Sequence, residues 1–140
     1  MLLLLDTHVW IWSAQGDAGR IGRLTRRLLT KAEPEEAIAV SAISLFELTA
    51  LHTLGRIRLT RRPEQWIRDS LDLSGLRVFD IASAAAIDAG GISRTALADP
   101  IDRLLVASAR HRGATLVTAD ERVLAYAQSA GDVRVQDARR

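Results

Sequence analysis

Five carboxylates stand where the chain changes character. Asp6 ends the apolar run Leu2-Leu3-Leu4-Leu5, Glu47 lies in SAISLFEL, Asp99 and Asp102 share ADPIDRLLVASA, and Asp120 follows Leu116-Val117-Thr118-Ala119. A carboxylate at the end of a buried strand surfaces where open α/β sheets hold their ligands. Carboxylates gathered within a few ångström repel one another, so at neutral pH they either take up protons or hold a cation between them. The chain has no cysteine, which removes thiolate ligands and cysteine nucleophiles. An all-oxygen donor set selects a hard ion, Mg²⁺ or Mn²⁺. Such an ion lowers the pKa of a bound water and neutralises charge on phosphoryl oxygens, which is the chemistry of phosphodiester hydrolysis.

Each acid also has a purely structural explanation. Asp6 can cap the helix that follows it, and Ser44-x-x-Glu47 is a capping-box pattern. Asp99-Pro100-Ile101-Asp102 is a helix-start signature with Asp99 as cap and Pro100 at the first helical position, where the helix dipole favours both acids. Asp120 can cap a helix that begins at Glu121. Capping accounts for each residue singly, but it does not require the acids to meet. Strand ends and helix starts of a parallel fold do meet, in one crevice.

The elements that must position these acids read as an α/β domain. Compact apolar runs at Leu2–Leu5, Ala37–Val40, Arg77–Phe79, Thr115–Thr118 and Val133–Val135 have the length and composition of strands buried on both faces. The intervals between them are helical, giving a mainly parallel sheet. Ile21, Leu24, Leu28 and Leu29 fall on one helix face, and Ile43, Phe46, Leu48, Leu51 and Leu54 repeat the habit before Gly55; both stripes are expected in the core. Pro63 opens a helix that Gly75 closes, and an Ala-rich helix from Ala82 ends at Gly90-Gly91. Residues 91–98 form the longest expected loop. With 140 residues, 48% of them hydrophobic, the chain reads as one domain over residues 1–140. The opening leucine run is too short for a signal peptide or a membrane span, so the expected location is cytoplasmic.

The formal charge is only +2, yet eighteen of the nineteen basic residues are arginines. Two groups stand out, Arg20, Arg23, Arg26 and Arg27, and Arg56, Arg58, Arg61 and Arg62. Guanidinium forks match phosphate oxygens, which makes both groups candidate contacts for a nucleic-acid backbone. Ordinary solvated surface charge explains them equally well.

Taken together, LLLLDTHVWIW, AISLFEL, DPIDRLLVASA and LVTADERVL resemble the PIN-domain ribonuclease toxins of the VapC type, in order and spacing and over nearly the whole chain. The resemblance implies a three-layer α/β/α domain around a mainly parallel five-stranded sheet. It implies that Asp6, Glu47 and Asp102 are the three principal acids, Asp120 a fourth and Asp99 an additional one, all serving as catalytic and metal-binding residues. It further implies a Mg²⁺- or Mn²⁺-dependent endoribonuclease, the toxin of a type II toxin–antitoxin pair, inhibited by a VapB-like antitoxin and dimerising through the domain. His8 stands where many members carry a small residue, and is expected to be a surface or hydrogen-bonding group. A haloacid-dehalogenase-type phosphohydrolase also opens with an Asp after an apolar strand, but requires a second Asp where His8 stands. A receiver-like binding module requires an acidic pair near the first strand and a late lysine, whereas Lys31 is the one lysine present. The RNA target, whether tRNA, rRNA or mRNA, is left open, with specificity expected in Arg56 to Arg62 and in the 91–98 loop.

Overall fold

Five parallel strands, ordered β3-β2-β1-β4-β5, form the centre of the computed structural model. The structure describes the backbone of residues 1–140 and every side chain except those of Ala18, Leu73 and Ser74. The strands are β1 (Leu3–Leu5), β2 (Ile38–Ser41), β3 (Arg77–Phe79), β4 (Thr115–Thr118) and β5 (Arg134–Asp137). The helices are α1 (Thr7–Ala14), α2 (Arg23–Ala32), α3 (Ala42–Thr53), α4 (Pro63–Ser74), α5 (Ser83–Gly91), α6 (Pro100–Arg112) and α7 (Glu121–Ala130).

Alternation along the strands divides the interior in two. Leu3 and Leu5 face a core completed by Trp10, Leu28, Trp66 and Leu71 from α1, α2 and α4. Leu4 and Leu116 face the opposite core, with Leu105, Val106 and Ala109 of α6 and Val123 of α7. The result is the expected three-layer α/β/α arrangement. Strand β5 differs from expectation: it runs from Arg134 to Asp137, because pairing with β4 carries the register on to Thr118 opposite Asp137. An edge strand with one neighbour needs less apolar content, so the polar Gln136 and Asp137 belong to it.

The apolar stripes of α2 and α3 are only partly buried. Leu24, Phe46 and Leu54 are 49%, 62% and 69% exposed. On α3 the buried line runs through Ser44 and Leu48, which turns Phe46 outward. The helix also begins earlier than a Ser44–Glu47 capping box requires. Its cap is Ser41, whose hydroxyl accepts the Ile43 N–H at 3.2 Å. Ser44 is buried inside the helix and accepts from the Thr7 hydroxyl at 2.9 Å, a bond that ties α3 to α1. Glu47 therefore lies in the second turn.

The last residues pack against the start of α2. Gly22 N–H donates to the Ala138 carbonyl at 2.8 Å, and Thr25 donates to the Arg140 carbonyl from both its N–H and its hydroxyl, each at 2.9 Å. A Cβ on Gly22 would lie 2.1 Å from the Arg140 carbonyl carbon, so no other residue fits without moving this segment. Far from the strands' carboxyl ends, Arg110 of α6 pairs with Asp88 and Asp132, each at 3.1 Å, and bonds the Tyr126 hydroxyl, pinning α5, α6 and α7 together. Among the described residues no helix is long and apolar enough to cross a membrane.

Candidate active site

Strand order reverses between β1 and β4, and an open parallel sheet leaves a crevice outside the carboxyl ends of its strands at that point. Asp6 leaves β1 there. One of its oxygens, Oδ1, accepts the Val9 N–H at 2.9 Å and caps α1, while Oδ2 accepts the Thr118 hydroxyl from the end of β4. Thr118 Oγ1 in turn accepts the Asp120 N–H at 3.1 Å, so one threonine links the acids at the ends of two adjacent strands. Asp120 caps α7 by accepting the Arg122 N–H at 2.8 Å. Its carboxylate also takes the Arg122 guanidinium, at 3.4 Å from Nε and 3.2 Å from Nη2.

The remaining acids arrive on helices. Asp99 Oδ1 accepts the Ile101 N–H at 2.9 Å and caps α6, with Pro100 in the first turn. Asp102 follows one turn along α6. Glu47 comes from α3, held against α1 by the Thr7–Ser44 bond. Among the described residues neither Glu47 nor Asp102 has a side-chain hydrogen-bond partner in the protein. All five carboxylates line one open cavity of about 260 Å³, together with Thr7, His8, Trp12 and Arg122. Capping and convergence are thus both real: Asp6, Asp99 and Asp120 cap helices and face the same space.

The electrostatics follow from this crowding. Burial pushes the Asp102 carboxyl up to about 7, and the charges of Asp99, Asp120, Asp6 and Glu47 add to the effect. Burial also raises Asp6, against the lowering influence of the Thr118 and Val9 hydrogen bonds. Asp120 goes the other way: burial alone raises it, but its bonds to the side chain and backbone of Arg122 outweigh that and hold it below the usual range. Among the described residues no three of the acids stand close enough to form a ready-made ligand cage. That spacing suits an ion that keeps several of its waters and takes one or two carboxylates directly, with other acids reached through water. Donors that are all oxygen, with the ionisation of one of them opposed first by burial and then by the neighbouring charges, fit a hard divalent cation.

The arginines Arg56, Arg58, Arg61 and Arg62 do not line this cavity. Arg61 is spent on an ion pair with Asp69 of α4, and the Arg58 carbonyl accepts from Gln15 at 3.2 Å beyond the end of α1. The loop before Asp99 is anchored by a Ser93 turn and by Leu97, which is buried in the second core. Two residues at the site carried little signal in the sequence. Thr118 was legible only as a polar residue closing a buried strand, and Arg122 only as one arginine among many.

Comparison with known proteins agrees with this architecture. The PIN domain family model matches residues 3–128. Ribonuclease VapC22 of Mycobacterium tuberculosis is 33% identical over 125 residues, covering 89% of this chain and 91% of that protein. Among solved structures, the DNA-bound VapBC of Salmonella typhimurium superposes with a TM-score of 0.66 at 24% identity, over 97% of this chain and 98% of that one. VapBC-1 of nontypeable Haemophilus influenzae superposes with a TM-score of 0.68 at 19% identity, over the whole of both chains. At those identities the two structures speak for the fold alone. Matched by the PIN model along nearly its whole length, and one-third identical to a VapC protein over 125 residues, the chain belongs to the PIN domain family, in its VapC branch.

Proposed function

We propose that this protein is the toxin of a type II toxin–antitoxin pair, an endoribonuclease that hydrolyses RNA phosphodiester bonds at a Mg²⁺ or Mn²⁺ site formed by Asp6, Glu47, Asp99, Asp102 and Asp120. The observation that carries this reading is the convergence of the five carboxylates on one cavity, with Asp102 driven up to about 7. The family supports it, as do the names of the relatives: VapC22 is named a ribonuclease, and the Salmonella and Haemophilus structures are VapBC complexes. These names also support a VapB-like antitoxin as the neutralising partner. A homodimer inside a larger antitoxin complex and a cytoplasmic location complete the proposal. The haloacid-dehalogenase and receiver-like readings fall with the family assignment.

When bound, the divalent ion activates water and neutralises charge on the phosphoryl oxygens. The chain supplies the rest. Asp6 and Asp102 are the innermost carboxylates, and the Thr118 hydroxyl fixes the orientation of Asp6. Glu47, unbonded within the protein, is available to the ion's waters. Asp120, paired with Arg122, would serve the ion from the rim, through its waters. In the reaction a water oxygen adds to phosphorus and gives up one proton to the surrounding carboxylates and solvent, the bond to the 3′ oxygen breaks, and that oxygen takes up one proton from the same pool as it leaves.

The test is cleavage of total RNA by purified protein with Mg²⁺ and with EDTA, using the parent, Asp6→Asn and Asp102→Asn. Cleavage that persists in EDTA, or in both folded variants, would overturn the metal assignment. Mapping the cleaved ends after brief expression in cells identifies which class of RNA is cut.

A further inference from the structure

Two of the three rings in the DTHVWIW segment, His8 and Trp12, line the carboxylate cavity, and the carboxylate chemistry gives them no task. We propose that Trp12, with His8 beside it, is a stacking platform that holds a nucleobase of the RNA strand against the rim of the carboxylate cavity. The inference rests on the nuclease reading above and names how that site grips its substrate.

Positions 8 and 12 are four apart on α1 and share one face of the helix. His8 is exposed and Trp12 half-buried, and both line the cavity that holds the five acids. Their ring centroids are 6.2 Å apart with planes inclined by 53°. The other tryptophans behave differently. Trp10 is completely buried and donates its indole N–H to Ser70 at 2.8 Å, and it packs against the buried Trp66 at 5.4 Å between centroids. Trp12 packs against the first core from its rim, and besides lining the carboxylate cavity it lines a second cavity of about 290 Å³ between α1 and α2. The Arg20 guanidinium lies 5.3 Å from the Trp12 ring centroid, while its Nε pairs with exposed Asp17 at 3.1 Å.

A cavity lined by five carboxylates repels a polyanion, and Arg122 is already engaged by Asp120. Affinity for RNA at this rim therefore needs an attraction indifferent to charge. Stacking of a base on an aromatic face is such an attraction, and single-stranded RNA presents unstacked bases to aromatic rings and guanidinium planes.

The experiment uses a short single-stranded oligoadenylate and an abasic ribose-phosphate oligomer of equal length. Binding is read by tryptophan fluorescence in EDTA, where nothing is cut, and KM and kcat are read separately with Mg²⁺ on a cleavable RNA. The oligoadenylate is expected to quench emission from the parent, and the abasic oligomer is not. Trp12→Leu, which keeps apolar bulk without a π face, is expected to lose the quench and raise KM about tenfold, with kcat and melting temperature nearly unchanged. Trp12→Phe is expected to restore most of the KM. Equal KM for parent and Trp12→Leu overturns the platform. A fall in melting temperature and kcat that Trp12→Leu and Trp12→Phe show equally means that Trp12 is merely packing, and also overturns it. Unchanged RNA behaviour with weakened inhibition by the antitoxin makes Trp12 a protein-docking residue instead. Base-dependent quenching in a protein that cuts no RNA retains the platform and refutes the nuclease reading, so the two failures are distinct.

Discussion

Replacing Asp102 with Asn is expected to stabilise the metal-free protein at pH 8 while abolishing its stabilisation by Mg²⁺. In the folded protein Asp102 titrates at about 7 rather than the ordinary 3.8, because burial and then the neighbouring carboxylates oppose its ionisation. Between those values the folded state holds a proton that the unfolded chain has released, so stability falls as pH rises from about 4 to about 7 and stays low above that. Asn cannot ionise, so the variant escapes the loss. That difference corresponds to about 4 kcal/mol. Asp102 is partly open to the cavity, so solvent screening reduces the measurable gain to the order of 1–2 kcal/mol. For a chain of this size that is a rise in melting temperature of about 5 °C. Thermal melts in EDTA at pH 8 should show the rise, and melts at pH 4 should show almost none, because both side chains are then largely neutral. Adding Mg²⁺ should raise the parent's melting temperature by mass action and leave that of the variant nearly unmoved. Identical melts at pH 8 in EDTA would refute the claim that ionised Asp102 is confined among like charges. An equal gain at pH 4 and pH 8 would assign the effect to packing.

Four other perturbations probe separate parts of the molecule. Asp6→Asn keeps an effective α1 cap and, since burial opposes ionisation of Asp6 as well, should hold or raise the melting temperature of the metal-free protein while abolishing Mg²⁺-dependent cleavage; a large loss of stability with activity retained would leave capping as the role of Asp6. Arg122→Ala removes the groups that hold Asp120 down, so the Asp120 carboxyl signal in an NMR titration should move to higher pH, and Mn²⁺ binding should tighten; an unmoved Asp120 would sever the link. Gly22→Ala forces the 138–140 segment off α2 at a cost of about 1–3 kcal/mol, seen as a lower melting temperature with the catalytic pH profile unchanged. Changing Arg56, Arg58 and Arg62 to Gln should lower the salt slope of RNA binding by about 2 if all three grip phosphates; an unchanged slope assigns them to solvated surface or to the antitoxin interface.

The acids whose positions were clearest in the sequence are those that also cap helices. Asp6, Asp99 and Asp120 each stand at a local boundary that strand composition, Pro100 and Glu121 make visible, and parallel topology brings those boundaries together. Glu47 was legible as an acid near a helix start, but its place in the helix was not. VSAIS offers two serines as caps, and the choice of Ser41 depends on Thr7, 37 residues from Ser44, which claims the second hydroxyl. Phe46 and Leu54 lie outside the core for a related reason. Helical periodicity shows that α3 has an apolar face, but only the sheet and α1 decide which residues it covers. Arg122 was hidden because its role depends on the turn between β4 and α7, which aims an otherwise ordinary arginine back at the residue capping its own helix.

The bond from Thr118 to Asp6 joins residues 112 positions apart, and it has a consequence for synthesis of the protein. A ribosome-bound chain that stops before β4 already contains Asp6 and Glu47, yet it lacks Thr118, Asp120 and the strand beside which Asp6 must sit. Long-range parallel pairing of this kind is also slow to form. A chain without β4 therefore carries those acids without the crevice, which forms only when β4 seats beside β1.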